Sequence, residues 1–100
     1  MKYKLDIKDA LKKWNNENPT LRKKTLKDVS EYIGVSSSAL IQMEKTSQFQ
    51  KHFAVIFESK DKKAQQNLFE LYITLGIPFL QKLKKITKYL DCKIFDIIKN

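Results

Sequence analysis

Apolar residues along this chain recur at spacings of three and four, the period of a helix with one buried face. Ile7, Ala10, Leu11 and Trp14 keep that spacing and predict a first helix from Ile7 to about Asn16, capped by Asp6. From Thr25 the pattern becomes two short helices. Val29 and Ile33 fall on one face of the earlier one, and Thr25 is placed to cap it. Gly34 can take the left-handed conformation that ends a helix. Ser36 then caps the later helix, with Leu40 and Met43 turned inward. Towards the C-terminus, Leu80, Leu83, Ile86 and Leu90 form one stripe from Phe79 to Leu90. Asp91-Cys92-Lys93 reads as a turn, and Ile94, Ile97 and Ile98 mark a short last helix.

Residues 46–77 are ambiguous in period. Phe49, Phe53, Ile56 and Phe57 fit one helix, and Ala64, Leu68, Leu71 and Leu75 fit the face of another, with Lys60-Asp-Lys-Lys63 as a polar connection. However, His52–Phe57 and Leu68–Thr74 are rich in strand-formers, so a two-stranded hairpin competes with the helical reading.

Composition favours helices. Gly and Pro number two each, and they fall in the Asn15–Thr20 loop, at Gly34, and around Ile77 as Gly76 and Pro78. The chain's 100 residues make one small domain, and 42% hydrophobic residues are enough for a modest core. No apolar run reaches the roughly 18 residues of a membrane span. The N-terminal Met-Lys-Tyr-Lys-Leu-Asp has no apolar signal-peptide core, and the lone Cys92 has no internal partner, so a reduced, cytoplasmic setting is expected.

Charge changes the picture more. Twenty basic and eleven acidic residues leave a net charge of +9, which favours an anionic partner. The charge is spread over both halves, so any basic surface must be assembled by the fold. Only Arg22 among the basic residues is not Lys. Lysine holds phosphate as a point charge, whereas bidentate reading of guanine favours Arg, so the charge argues for backbone affinity over base specificity.

Two helices at a fixed angle through a Gly-containing turn form a helix-turn-helix, which places its second helix in the major groove of DNA. The chain resembles the lambda-repressor-like (Cro and phage-repressor, XRE-type) helix-turn-helix family. Thr25 to Glu44 carries the resemblance, with small Ser30 at the close approach of the two helices and Gly34-Val35-Ser36 as the turn. Pro78–Leu90 followed by Asp91–Ile98 is similar to the family's fourth and fifth helices. Family members usually join helices 3 and 4 by a short loop, where this chain has residues 46–77, and often carry a polar side chain where Leu26 stands. The implied fold is all-α: a compact five-helix domain over 1–100, with its core at 25–45 and 78–98 and a helical insertion at about 46–77.

By that resemblance, bases are read by Ser37, Ser38 and Gln42, with Ile41 and Lys45 beside them. Gln pairs with adenine, Ser reaches several base edges, and an apolar group touches a thymine methyl. Phosphates are expected at Lys23, Lys24, Thr25 and Lys27, at Ser36, and at Lys82 and Lys85. Gly34 is structural, because a side chain there strains the turn. Phe49, Phe53, Phe57, Phe69 and Tyr72 are too many aromatics for a solvated loop: they form a dimer or partner interface, or they enlarge the core.

The sequence has no Walker loop, no Gly-rich dinucleotide turn and no nucleophile elbow, and one His with one Cys makes no metal cluster. No cofactor and no catalysis are expected. The leading expectation is a sequence-specific DNA-binding regulator, a repressor acting as a homodimer on double-stranded DNA, away from membranes. Two alternatives stay open: an antitoxin-like module that grips a protein partner through the insertion, and a non-specific DNA-binding protein.

Overall fold

Local chemistry sets most of the helix ends. The computed structural model describes residues 2–100. Among them the elements run β1 (Lys4–Leu5), α1 (Lys8–Glu17), α2 (Leu26–Ile33), α3 (Ser37–Glu44), α4 (Ser47–Ile56), α5 (Lys62–Ile73), α6 (Pro78–Tyr89), α7 (Ile94–Ile97) and β2 (Ile98–Lys99). Thr25, Ser36, Thr46 and Asp61 each accept a backbone N–H with the side chain at the start of a helix. Pro78 stands at the first position of α6, where its missing N–H costs nothing. Ile7, not Asp6, is the residue before α1, but Asp6 Oδ1 still accepts from the Lys8 N–H at 3.1 Å.

Residues 46–77 hold two helices, α4 and α5, which removes the hairpin reading. Phe49, Phe53 and Ile56, at i, i+4 and i+7, are all fully buried, while Val55 between them is 45% exposed. A strand would have put Phe53, Val55 and Phe57 on one face. The expected face of α5 is corrected as well. Phe69 is fully buried and Gln65 is buried beside it, whereas Leu71 and Leu75 are 58% and 66% exposed. Lys62 and Lys63 belong to α5 and not to the connection before it.

Phe49, Phe53 and Phe69 are therefore core residues, and they are not available as an interface. Phe57 and Tyr72 are half-buried against the same core. Phe49 meets Phe53 with ring centroids 4.7 Å apart and reaches Phe79 of α6 at 5.9 Å. α4 and α5 thus share one core with α2, α6 and α7, through Val29, Leu80, Leu83, Ile86, Ile94 and Ile97.

The chain ends also meet. β1 and β2 pair antiparallel, Lys4 opposite Lys99 and Leu5 opposite Ile98, and the Asp6 N–H donates to Ile97 O at 2.7 Å. Ile98, expected in the last helix, lies in β2. Before it, the turn after α6 closes without glycine. Asp91 takes φ 50°, with its N–H on Lys88 O and the Cys92 N–H on Thr87 O at 2.9 Å, a Schellman closure. Among the described residues no helix is long and apolar enough to cross a membrane.

Because Phe53 is enclosed on all sides, Phe53→Ala is expected to cost about 3–5 kcal/mol. Urea unfolding at two protein concentrations tests this. A loss below about 1 kcal/mol, or one that grows with dilution, contradicts a purely core position.

Candidate nucleic-acid interface

The α2–turn–α3 unit is fixed by three sets of hydrogen bonds. At the start of α2, Thr25 Oγ1 accepts from the Asp28 N–H at 3.2 Å, and Asp28 Oδ2 accepts from the Thr25 N–H at 2.9 Å. This is a capping box with Asp in the usual Glu position. The bond from the Thr25 backbone N–H, and then the Thr25 hydroxyl, hold the Asp28 carboxyl below its ordinary value of 3.8, with smaller help from Arg22 and Lys27. At the turn, Gly34 adopts φ 73°, donates to Glu31 O, and lets the Val35 N–H reach Ser30 O at 3.1 Å. Nothing lies within 4 Å of where a Cβ would sit, so the requirement for glycine is one of backbone conformation. Across the helix pair, the Ser30 and Ser37 hydroxyls are 3.1 Å apart.

This geometry divides the expected base-reading set. Ser37 is half-buried with its hydroxyl turned to Ser30, so it joins α2 to α3 and does not face outward. Ser38, Ile41, Gln42 and Lys45 are all exposed, and with Ala39 they make the outward side of α3. Leu40 on the inward side is buried and Met43 packs against the core.

The expected phosphate contacts divide too. Lys24 is withdrawn from solvent-facing duty. Its Nζ sits 3.9 Å from the Trp14 ring centroid and 3.8 Å from that of Tyr89, and donates to Tyr89 O at 2.7 Å. Asn15 holds the Lys24 backbone at both its N–H and its carbonyl. Burial draws the Lys24 ammonium below the ordinary lysine range, while the two ring faces act in the opposite sense by favouring a cation. The Thr25 hydroxyl donates to Asp28 Oδ2 at 3.1 Å, so its proton is spent within the cap. The Ser36 hydroxyl only accepts, from the Ala39 N–H at 3.2 Å, which leaves its proton for an anion. Lys23, Lys27 and Lys85 are exposed, and Lys82 is half-buried.

Sequence reasoning missed Gln50 and the N-terminal partners of Glu44, which together back α3. Glu44 Oε2 accepts from the Leu5 N–H at 2.7 Å. Gln50 accepts from the Tyr3 N–H at 3.0 Å and donates to Tyr3 O and Glu44 O, both at 2.8 Å. Together they tie β1 to the end of α3 and the start of α4. The only signal in the sequence was a Glu and a Gln near two buried helix turns, which is too common to single out. Elsewhere, Cys92 is half-buried, and burial with the nearby Asp96 carboxylate pushes its thiol up to about 11, away from the reactive thiolate.

Comparison with protein-family models, with curated proteins and with solved structures finds no match for this chain.

The Asp28 carboxylate stabilises the fold as the anion, because its folded pKa is depressed. Its contribution is complete above 3.8 and is lost as pH falls through the lowered value. Asp28→Asn should therefore melt below the parent at neutral pH, with the gap in melting temperature closing towards about pH 2. Thermal unfolding followed by circular dichroism measures both. A gap that stays constant across that range contradicts a titrating cap.

Proposed function

We propose that this chain is a sequence-specific DNA-binding regulator, a repressor, that lays α3 in the major groove. The carrying observation is the outward side of α3. Ser38, Ile41, Gln42 and Lys45 are exposed on a helix whose other side is anchored by buried Leu40. Gln42 is suited to adenine, Ile41 to a thymine methyl, and Ser38 and Lys45 to base edges or the flanking backbone. Exposed Lys23, Lys27 and Lys85, with the free proton of Ser36, supply phosphate contacts. The net charge of +9 supports the attraction. On this reading α1, α2, α3, α6 and α7 correspond to the five helices of the lambda-repressor-like family, and α4 with α5 is the insertion.

The test is selection from random duplexes. One motif should be enriched, and Gln42→Ala should weaken binding to it by about 1–3 kcal/mol, with relaxed preference at one or two positions. Ser37→Ala should leave the motif unchanged. The specific-repressor reading is lost when no motif is enriched at physiological salt, and the assigned face is wrong when Gln42→Ala leaves the motif intact.

A protein-interaction role has its own support at the end of α5 and in the turn that follows it. Leu71 and Leu75, one turn apart, are the most exposed large apolar side chains described. We place a homodimer contact there, in place of the buried phenylalanines. Sedimentation at tens of micromolar should give a dimer, and Leu71→Glu with Leu75→Glu should give a folded monomer. A monomeric parent chain, or a dimer that survives both substitutions, sinks this assignment.

A further inference from the structure

A concavity beside the α2–turn–α3 unit has apolar walls. Its volume is about 200 Å³, and Leu5, Ile7, Leu26, Leu40 and Ile41 supply its apolar lining. Leu40 and Ile7 form the buried floor, and Leu26 and Ile41, 41% and 52% exposed, form the lip. An apolar cavity of about 150 Å³ is enough to take up benzene. Small-molecule sites combine such walls with a few convergent polar groups.

The polar groups at the rim narrow the ligand. Ser37 lines the site, but its hydroxyl is engaged with Ser30. Asp6 also lines it, and among the described residues its carboxylate is met only by the Lys8 N–H, through Oδ1 at 3.1 Å. Asp6 Oδ2 thus remains as an acceptor beside the apolar walls. Lys8 lines the site as well, so the formal charges of the lining sum to zero and give no case for a cationic ligand.

We propose that this concavity binds a small uncharged ring compound carrying one hydrogen-bond donor, of the indole or phenol class, and that its occupancy competes with DNA. The ring fills the space between Leu5, Ile7, Leu26 and Ile41, and its N–H or O–H donates to Asp6 Oδ2. Competition follows from Ile41, which belongs both to the lip of this site and to the outward side of α3. It cannot cover a bound ring and lie against a thymine methyl at once. The ring site stands by itself; only the competition rests on the DNA-binding reading above.

Indole and benzoate are the probes, followed by amide NMR shifts on the full chain without DNA. Indole should give saturable shifts confined to Leu5–Lys8, Leu26 and Ser37–Ile41. Leu26→Lys, an exposed substitution that keeps the fold, should weaken indole binding about tenfold or more, equivalent to about 1.4 kcal/mol. Benzoate, which has a ring of suitable size but carries a carboxylate, should bind about tenfold more weakly than indole. Scattered shifts, no shifts up to the solubility of indole, or shifts indifferent to Leu26→Lys overturn the site. Benzoate binding as tightly as indole overturns the role of Asp6. Saturating indole should then reduce affinity for the selected duplex about tenfold. Unchanged duplex affinity with indole bound overturns the competition. Failure to bind any duplex sinks the DNA reading and leaves the ring site to be decided by the NMR result alone.

Discussion

The orientation of α3 depends on aromatic packing supplied by a segment outside the helix-turn-helix. Phe49 and Phe53 of α4 and Phe69 of α5 are fully enclosed, and Phe49 bridges to Phe79 of α6. α6 packs on α2, and α4 packs on α3. The rings therefore close a circuit from α3 through α4 and α6 to α2. An unanchored segment of this length would add conformational entropy at the very end of α3, at about 1–2 kcal/mol per residue to be overcome on ordering. Enclosed aromatic pairs add about 0.5–1.5 kcal/mol each beyond their apolar area, which keeps the circuit shut. α4 and α5 are thus part of what holds the turn at its angle, and their packing leaves Val55, Leu71 and Leu75 as their exposed large apolar groups.

Two polar clamps complete the circuit, and one of them withdraws Lys24, which sequence had offered to phosphate. Gln50 spends its whole side-chain amide on Tyr3 and Glu44, holding β1 against the end of α3. Lys24 spends its ammonium on Trp14 and Tyr89, holding the connection before α2 against α1 and α6. The Tyr89 ring stacks in turn on Tyr32 of α2, with centroids 4.3 Å apart. In both cases a long side chain gives up solvent to tie together segments far apart in sequence. What remains outward is then a smaller set than composition implies.

What was legible in the sequence was what is decided within a few residues. Thr25, Gly34 and Ser36 do what their positions suggest, because caps and left-handed turns are local. The Asp91-Cys92-Lys93 turn was legible as polar, but not that Asp91 takes the left-handed role usually given to glycine. The buried face of α5 was misread for a physical reason. Leu68, Phe69, Leu71, Tyr72, Ile73 and Leu75 are apolar on nearly every side, so periodicity leaves the phase open and the fit of Phe69 into the core decides it. The partners of Ser37 and Lys24, Ser30 across the turn and Tyr89 some way along the chain, were not legible because tertiary approach sets them. β1 and β2 pair over two residues each, too short for any alternation to register.

On the proposed reading, the length of α3 limits what it can do alone. Eight residues make a helix of about 12 Å, and about half of them can face a groove. Here those are Ser38, Ala39, Ile41 and Gln42, with exposed Lys45 just after them, and Gln42 alone offers a bidentate amide. Lysine supplies nearly all the positive charge, and it attracts every phosphate equally. A single copy would therefore bind DNA more readily than it would choose among sequences, since each well-read base contributes only about 1–3 kcal/mol against a large excess of competing sites. Two copies held at a fixed spacing multiply that discrimination without any new contact to a base. The apolar patch of Leu71 and Leu75, at the end of α5 and in the turn after it, then has a functional reason to exist. It lies on the same rigid circuit that sets the angle of α3, so a contact made there fixes the distance between two reading helices.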